Sequence, residues 1–502
     1  MLRIVNTKYG AVKGLPASDP RITSFKGIPF AKPPIGELRW RAPQPCEKWD
    51  GIKEAYEYGP IAVQDTPGLG TDIYCKEWHV DPDIPMSEDC LYLNVWTPAK
   101  KVDEKLPVLL WIYGGAFQWG YCAEMEMDGE RLASRGIVVV SCTYRLGALG
   151  FLAHPSLTAD QPSDPTNFGM LDQQAALNWV FENIAAFGGD PNNISIAGQS
   201  AGGASTMIQI TCEQNFDKIK SAAIFSGIIR NPYFFDEFFI PGNIKKAEQN
   251  GKTFLEFLGV NTIEEARKLD ALFIRDMYAQ YRQNHLFMSP CIDDIIITDE
   301  PLRKLLTNKC AQIPLFVGNT TDEFSAFIDA DSIEELEKAA KEHFGDSADE
   351  FLQIDGVREK GEMGYALTSA LEPAIKGMIE NKRKNGSEQP VYYYKFDATI
   401  PGDDRPGTFH SVDLWFFFET LYKAKRPYSG AHFELAHTMC DYWSNFIKSG
   451  NPNGTDCYGR LLNKWDEYSK EEPMEMIFDE RGCAQRREIQ NELLDFLKKK
   501  EQ

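Results

Sequence analysis

Short apolar runs alternate with longer amphipathic stretches along most of the chain. The apolar runs are rich in β-branched and aromatic residues, and each ends at turn-forming residues. Runs of this kind predict strands that are buried on both faces, as in a mostly parallel sheet covered by helices. The best strand candidates are residues 106–113, 136–143, 193–197, 222–225, 313–317 and 391–396.

The amphipathic stretches predict the helices that cover this sheet. Residues 170–183 and 332–344 carry apolar side chains at helical spacing, with charged side chains between them. The N-terminal segment predicts a strand, a glycine turn and a second strand. No repeat, low-complexity tract or flexible linker divides the chain. We therefore expect one α/β domain over residues 1–502, with a helical insertion at 232–286.

Composition and charge narrow the possible partners. Hydrophobic residues make up 43% of the sequence, which suits a large buried core. The chain has 74 acidic and 53 basic residues and a net charge of -21, which repels phosphate backbones. We therefore expect no nucleic-acid partner. We also expect no membrane span, since apolar runs of about 18 residues are missing from the sequence.

The cysteines and histidines favour a protein without a metal site in a reducing compartment. The 11 cysteines are an odd number and form no C-x-x-C pair, which favours free cytoplasmic thiols. The N-terminus does not resemble a secretory signal, although secretion stays open if a signal was removed from this sequence. His432 and His437 do not have H-E-x-x-H spacing, so we expect no metal or other cofactor.

The strongest chemical signal is the segment GQSAG at residues 198–202, which fits the pattern G-x-S-x-G. It follows the predicted strand at 193–197 and precedes a helical run at 203–210. A sharp strand-to-helix turn exposes and aligns a serine hydroxyl, and the flanking glycines relieve Cβ clashes in that turn. Ser200 is therefore the predicted nucleophile.

A second glycine-containing segment, YGGAF at residues 113–117, ends the strand predicted at 106–113. Small residues in this position can turn backbone N–H groups toward an oxyanion. The predicted donors are Gly115 and Ala116, together with Ala201 after the nucleophile. Read alone, the glycines could instead form only a tight turn, which is the less favoured alternative.

The acid and the histidine of a hydrolase triad should follow later strands, beyond the nucleophile. Glu323 lies just after the strand predicted at 313–317, and His410 follows the strand at 391–396. They are the predicted acid and general base. The competing acids are Asp322, Asp403 and Asp404, and the competing histidines are His343, His432 and His437.

Longer segments resemble the type-B carboxylesterases, the family of the cholinesterases and the bacterial para-nitrobenzyl esterases. They extend the resemblance over residues 4 to about 480 and imply the α/β-hydrolase fold, with a central, mostly parallel sheet flanked by helices. The segments are SEDCLYLN at 87–94, FGGDP at 187–191, FKGIPFAKPPIGELRW from Phe25, TYRLGALGFL from Thr143, NFGMLDQQAALNWV from Asn167 and TFHSVDLWFFF from Thr408.

The resemblance implies an ester hydrolase that works through an acyl-enzyme. The family's triad maps onto Ser200, Glu323 and His410. The resemblance further implies supporting polar residues and a buried ion pair. The supporting residues that it implies are Ser226 and Asp413, and the ion pair joins Arg145 to Asp172; Gln199, which precedes the nucleophile, is our third supporting position.

Departures from the family pattern bear on the substrate. Gln199 replaces the glutamate that precedes the nucleophile in cholinesterases, which removes a negative charge. Trp78 is displaced by two residues from the choline-binding tryptophan, so packing is the favoured interpretation. These departures favour uncharged small-molecule esters with short- to medium-chain acyl or aryl groups. Phe324 replaces the glycine that usually follows the triad glutamate. Cys75 is the nearest possible disulfide partner for Cys90.

Several alternatives stay open from sequence alone. The same triad would serve an acyltransferase or an amide or carbamate hydrolase, and the same fold also carries non-catalytic binding proteins. The amphipathic segment at 486–502 could dock on its own body or on a second subunit, so a monomer and a dimer are both possible. Candidate pocket residues, which could instead pack the core, are the segment 284–290 and Phe117, Trp119, Trp415 and Phe416.

Overall fold

A computed structural model describes residues 1–233 and 242–500. The strands, in chain order, are β1 Ile4–Asn6, β2 Ala11–Lys13, β3 Leu15–Pro16, β4 Thr23–Pro29, β5 Ile52–Glu54, β6 Tyr92–Thr97, β7 Leu106–Ile112, β8 Val138–Cys142, β9 Gly189–Gln199, β10 Ile219–Phe225, β11 Leu315–Thr320, β12 Ser325–Ile328, β13 Tyr365–Ser369, β14 Val391–Phe396, β15 Met474–Asp479 and β16 Gly482–Arg487.

The helices form most of the connections between these strands. They are α1 Ile73–Glu77, α2 Glu130–Ser134, α3 Gly147–Phe151, α4 Pro155–Asp160, α5 Phe168–Asn183, α6 Ala201–Thr211, α7 Ile244–Phe257, α8 Ile263–Arg267, α9 Ala271–Tyr281, α10 Pro301–Leu306, α11 Ile333–Phe344, α12 Ala348–Leu352, α13 Glu372–Lys384, α14 Leu414–Phe417, α15 Gly430–Ser449 and α16 Glu492–Lys500. Polar side chains start several of them; for example, Ser332 accepts a hydrogen bond from the backbone N–H of Glu335 at the start of α11.

One large sheet organises the chain. Its eleven strands lie in the order β16-β15-β14-β11-β10-β9-β7-β8-β6-β4-β3. The strands from β15 to β8 in this order run parallel, and antiparallel strands complete both edges. Consecutive residues of the central strands are buried, so both faces of the sheet are covered. This arrangement confirms the predicted α/β fold with a mostly parallel sheet.

The sheet draws on the whole chain, since its strands come from residues 15 to 487. This pairing supports our proposal that the chain is a single domain. The proposed insertion at 232–286 contains α7, α8 and α9, as its helical pattern predicts. Residues 234–241 of that insertion lie outside the described ranges.

Two predicted elements differ from the structure at their ends. The strand predicted at 313–317 begins only at Leu315, because Pro314 has no N–H to donate to a neighbouring strand. Arg486 and Arg487 pair with β15 as part of β16, so the helix predicted over 486–502 begins only at Glu492. Phe496 of that helix packs against Phe344 and Phe351, which docks α16 on its own body.

A search of the helices within residues 1–233 and 242–500 finds none with the length and apolar character needed to cross a membrane.

Candidate active site

Ser200 occupies the sharp turn between β9 and α6. Its φ of 56° lies in the left-handed region, where a residue with a side chain is strained. The Ser200 N–H donates to the Phe225 carbonyl at 2.9 Å, which ties the turn to the end of the neighbouring strand β10. The side chain is largely buried and lines a cavity at the carboxyl end of the sheet. Ser200 therefore lies at a strand-to-helix turn beside a cavity, a position that supports the proposal that it is the nucleophile.

The glycines around Ser200 are required by close backbone contacts. A Cβ at Gly202 would lie 2.1 Å from the carbonyl oxygen of Ile112, and one at Gly198 would lie 2.2 Å from the carbonyl oxygen of Gly202. Neither space can hold a methyl group without moving the backbone. The turn can therefore form only because both positions lack a side chain.

The segment after β7 lies beside the nucleophile. A Cβ at Gly114 would lie 3.1 Å from the Cβ of Ser200, and Gly114, Gly115 and Ala116 all line the cavity. Gly115 and Ala116 have φ values of 102° and 52°, which turn the backbone sharply at this point. Ala201 begins α6, so its N–H has no acceptor within the helix. All three predicted donors therefore belong to segments that flank Ser200.

Glu323 and His410 are in direct contact, although 87 residues separate them. Glu323 follows β11 and His410 follows β14, two neighbouring parallel strands of the sheet. The imidazole Nδ1 lies 2.6 Å from Glu323 Oε2. The other carboxylate oxygen, Oε1, accepts hydrogen bonds from the Ser226 hydroxyl and from the Thr320 N–H. Three donors therefore fix this carboxylate.

The competing acids have other partners or lie in solvent. Asp322 accepts hydrogen bonds from the backbone N–H and the hydroxyl of Thr408, so it holds the loop that carries His410 rather than the imidazole. Asp404 pairs with Arg426, and Asp403 is exposed. Among these four carboxylates, only that of Glu323 contacts His410.

The competing histidines lie on helices, away from the cavity. His343 is on α11 and His432 is on α15, where it takes part in the N-terminal cap with Ser429. His437 lies one turn further along α15, beside Glu419. None of the three lines the cavity that contains Ser200 and His410.

Gln199 makes the closest polar contact of the imidazole on the cavity side. Its side-chain nitrogen lies 3.1 Å from His410 Nε2. An imidazole that donates from Nδ1 to Glu323 presents a lone pair at Nε2, which the Gln199 amide can use as an acceptor. The two contacts together select the tautomer in which Nε2 is basic.

Ser226 and Asp413 stand behind the acid and the histidine. Ser226 is fully buried and donates its hydroxyl to Glu323. Asp413 is also fully buried, and its Oδ2 accepts the Tyr394 hydroxyl at 2.7 Å. Its Oδ1 has no hydrogen-bond partner among the described residues. Burial raises the pKa of Asp413 to about 7, and the nearby charge of Glu323 acts in the same direction.

The implied ion pair of Arg145 and Asp172 is confirmed. The guanidinium donates from two nitrogens to the two carboxylate oxygens at 2.7 and 2.8 Å, and the Arg145 N–H adds a third hydrogen bond. Both side chains are buried.

Cys75 and Cys90 are both free thiols.

The cavity in front of Ser200 measures about 480 Å³. Of the predicted pocket residues, Trp119 lines it, whereas Phe117, Trp415 and Phe416 are packed in the core. Phe287 of the segment 284–290 contacts the ring of Trp119 but does not line the cavity itself. The remaining aromatic lining comes from Tyr74, Trp78 and Phe324.

Two of these aromatic residues also explain departures from the family pattern. Trp78 packs against Phe409 and Trp415, as predicted, but its exposed edge faces the cavity. The Phe324 ring lies 4.5 Å from the imidazole ring of His410 and covers it from the cavity side. A side chain at this position therefore adds an apolar wall that a glycine would not provide.

The charges around the cavity are mostly neutralised. Asp65 forms an ion pair with Arg282, and Glu124 lies 2.6 Å from His79 Nε2. Burial tends to lower the pKa of His79, but the Glu124 carboxylate outweighs it and raises that pKa. Burial, with the charge of Glu124, raises the pKa of Glu126 well above its ordinary value. The Asp72 carboxylate also lines the cavity and has no ion-pair partner among the described residues, so the charges around a bound molecule are neutralised except at this position.

Sequence reasoning did not identify Tyr74, His79, Glu124 or Glu126 as cavity residues. They belong to two segments that carry no motif of a reaction, at 64–79, which includes the short helix α1, and at 120–127. Their shared feature in the sequence is a local concentration of acidic and aromatic residues. That pattern alone is typical of many surface loops.

Comparisons with known proteins agree with the geometry. The family model described as "Carboxylesterase family" matches residues 2–385 and 373–497. The para-nitrobenzyl esterase of Bacillus subtilis is 32% identical over 95% of this chain and 95% of its own, and the cholinesterase of Mus musculus is 32% identical over 90% and 79%. A solved para-nitrobenzyl esterase structure superposes with a TM-score of 0.79 at 29% identity, covering 99% of each chain.

Proposed function

The chain belongs to the carboxylesterase family and is a carboxylic ester hydrolase, and from this premise we propose that Ser200, His410 and Glu323 form its catalytic triad. The single observation that carries the proposal is the contact of Glu323 with His410 in the cavity that Ser200 lines. A carboxylate, an imidazole and a serine hydroxyl in this order are the parts needed for acyl transfer.

In the first step, His410 Nε2 takes the proton of the Ser200 hydroxyl as its oxygen attacks the ester carbonyl. Gln199 must release Nε2 for this step, since its amide occupies that lone pair in the structure. The tetrahedral oxyanion accepts hydrogen bonds from the N–H groups of Gly115, Ala116 and Ala201. The C–O bond to the leaving group then breaks as the imidazolium gives its proton to the alkoxide oxygen; the alcohol departs and the acyl-enzyme remains.

In the second step, water replaces the alcohol and the same proton transfers return the serine. His410 takes a proton from the water as it attacks the acyl carbonyl, and the products are a carboxylic acid and free Ser200. Glu323 remains ionised throughout, holds the imidazole tautomer and stabilises the imidazolium. Ser226 positions Glu323 in turn, through its hydroxyl.

The cavity supports uncharged esters as the substrate class. Its wall combines aromatic side chains with ion pairs whose charges cancel, and Gln199 adds no charge beside the nucleophile. A cavity of about 480 Å³ holds a small ester with a short- to medium-chain acyl or aryl group. A quaternary ammonium group would find no full negative charge next to Ser200.

The test is hydrolysis of para-nitrophenyl esters by the purified wild-type protein and Ser200→Ala. The acyl chain is lengthened stepwise from acetate to decanoate, and a choline ester of the same acyl chain is included. We expect wild-type turnover of the shorter and medium esters, a lower kcat/KM for the choline ester, and no turnover by Ser200→Ala.

Thr66→Ala is the matched control, because Thr66 lines the same cavity and its substitution also removes one hydroxyl. This variant should retain turnover. Near-normal turnover by folded Ser200→Ala would disprove the triad, and a preference for the choline ester would disprove the substrate class while leaving the triad in place.

The thiols support a further part of this proposal, a cytoplasmic location. All eleven cysteines lie within the described ranges and are free, and most of them are buried. Reduced thiols persist in the reducing environment of the cytoplasm. Fractionation of the source cells should find the esterase in the cytoplasmic fraction; its accumulation in the medium would contradict this assignment.

A further inference from the structure

Three side chains with different ligand atoms meet on the outer side of α15, apart from the cavity. His437 and Asp441 are four residues apart and therefore share one face of the helix. Cys457, in the loop that follows α15, brings its Sγ to 3.3 Å from His437 Nε2. We propose that His437, Asp441 and Cys457 form a binding site for a zinc ion.

The spacing of the three ligand atoms fits zinc. His437 Nε2 lies 3.5 Å from Asp441 Oδ2, and all three atoms lie within 4.8 Å of one another. Tetrahedral zinc, with bonds of roughly 2.0 to 2.3 Å, places its ligand atoms about 3.3 to 3.6 Å apart. The two short separations therefore already match edges of a zinc tetrahedron. Only small side-chain rotations are needed to bring the third pair of ligand atoms, Asp441 Oδ2 and Cys457 Sγ, to the same separation.

Asp441 points independently to a missing partner. Its side chain is only 2% exposed, and its Oδ1 accepts a hydrogen bond from Arg135 Nε. Its Oδ2 is buried without a hydrogen-bond partner among the described residues. A buried, unsatisfied carboxylate oxygen costs free energy, and a cation beside it would remove that cost.

The surroundings of His437 prepare its Nε2 for a metal. His437 Nδ1 lies 3.1 Å from Glu419 Oε1 and 3.2 Å from Arg135 Nη2; in the tautomer that donates from Nδ1 to Glu419, Nε2 presents its lone pair to the cluster. A carboxylate that accepts the second ring N–H is the usual outer partner of a metal-bound histidine. Arg135 holds Asp441 and also forms an ion pair with Glu419, which fixes both groups.

The loop that carries Cys457 is preorganised. Asp456 accepts hydrogen bonds from the N–H groups of Tyr458 and Arg460, and Thr455 pairs with Leu461 across the turn. The Tyr458 ring stacks on the imidazole of His437 at 5.2 Å. The thiol is therefore held against α15, while its exposed side leaves a fourth coordination position for water.

A catalytic thiol is the main alternative for a cysteine beside an imidazole. Cys457 does not line the cavity that contains Ser200, and its imidazole neighbour also faces the Asp441 carboxylate, so the thiol belongs to a group of three ligand atoms rather than to a thiol–base pair. A zinc ion supplies the positive charge that stabilises the thiolate, and sulfur, nitrogen and oxygen together suit its borderline character.

The test uses the full chain, stripped of metal with a chelator and kept reduced with a phosphine. Zinc chloride is titrated by calorimetry, and cobalt chloride is titrated by absorbance to detect the thiolate-to-cobalt charge-transfer band. We expect one zinc per chain, a raised unfolding temperature and a charge-transfer band in the wild type. Cys457→Ser should lose the band and bind zinc at least about tenfold more weakly.

Cys46→Ser is the matched control, because Cys46 is another partly accessible cysteine outside the cluster. It should bind both metals like the wild type, and His437→Gln should behave like Cys457→Ser. All variants should retain wild-type ester hydrolysis, which shows that they fold. Absence of zinc binding in the wild type, or equal binding by Cys457→Ser, would overturn the site.

Discussion

We expect the difference in unfolding free energy between Asp413→Asn and the wild type to shift in favour of the variant as the pH rises from acidic to alkaline values. The Asp413 carboxyl is fully buried behind His410, with one oxygen bound to Tyr394 and the other without a partner among residues 1–233 and 242–500. Burial raises its pKa from the ordinary 3.8 to about 7. At pH values between these two, the Asp413 carboxyl therefore keeps its proton in the folded protein and has lost it in the unfolded chain.

The sign and size of the effect follow from this difference. Between about pH 4 and pH 7 the unfolded state binds fewer protons than the folded state, so stability falls as the pH rises through this window. A separation of about 3 pKa units corresponds to about 4 kcal/mol at alkaline pH. From pH 5 to pH 8, ionisation of Asp413 should cost the wild type roughly 2–3 kcal/mol. An asparagine carries no such cost.

The assay is urea unfolding of the wild type and Asp413→Asn at pH 5 and pH 8, followed by tryptophan fluorescence. We expect the unfolding free energy of the variant, relative to the wild type, to be roughly 2–3 kcal/mol higher at pH 8 than at pH 5. Asp403→Asn, at an exposed aspartate, is the control and should show no such difference. An Asp413→Asn difference that is the same at both pH values would refute this reasoning.

Three further substitutions test the site and its support. Glu323→Gln should lower kcat by roughly 10³- to 10⁴-fold, because the amide no longer selects and stabilises the charged imidazole; a kcat within tenfold of the wild type would contradict its role. Gly202→Ala places a Cβ 2.1 Å from the Ile112 carbonyl oxygen and should cost at least about 1–3 kcal/mol in thermal unfolding, whereas an unchanged melting temperature would contradict the contact. Arg145→Met leaves Asp172 buried and unpaired and should cost about 3–5 kcal/mol in urea unfolding, so a loss below about 1 kcal/mol would count against this ion pair.

The parts of the site that depend on local sequence were predictable. The turn at Ser200 is encoded by two glycines between a strand and a helix, and its neighbours along the chain are sufficient to identify it. Glu323 and His410 follow strands that the hydrophobic pattern reveals. The choice of Glu323 over Asp322 is different in kind, because adjacent side chains point in different directions and only the folded loop decides between them.

The cavity wall and the cluster on α15 depend on contacts that the sequence does not encode locally. Phe117 and Trp119 are two residues apart, yet one is packed in the core and the other faces the cavity. Cys457 approaches His437 across twenty residues, and the loop conformation that brings them together has no motif. In such cases residue type limits the possible chemistry, but tertiary packing selects the residue.

The order of the strands also bears on how the protein is made. Ser200, Glu323 and His410 are carried by β9, β11 and β14, and the last of these strands ends only at Phe396. When Ser200 has just been synthesised, His410 has not. A growing chain at that stage therefore lacks the proposed base and cannot attack esters. With the proposed triad, hydrolysis can begin only after synthesis has passed residue 410 and β14 has joined the sheet, so activity in the cell would report on chains whose folding has reached that strand.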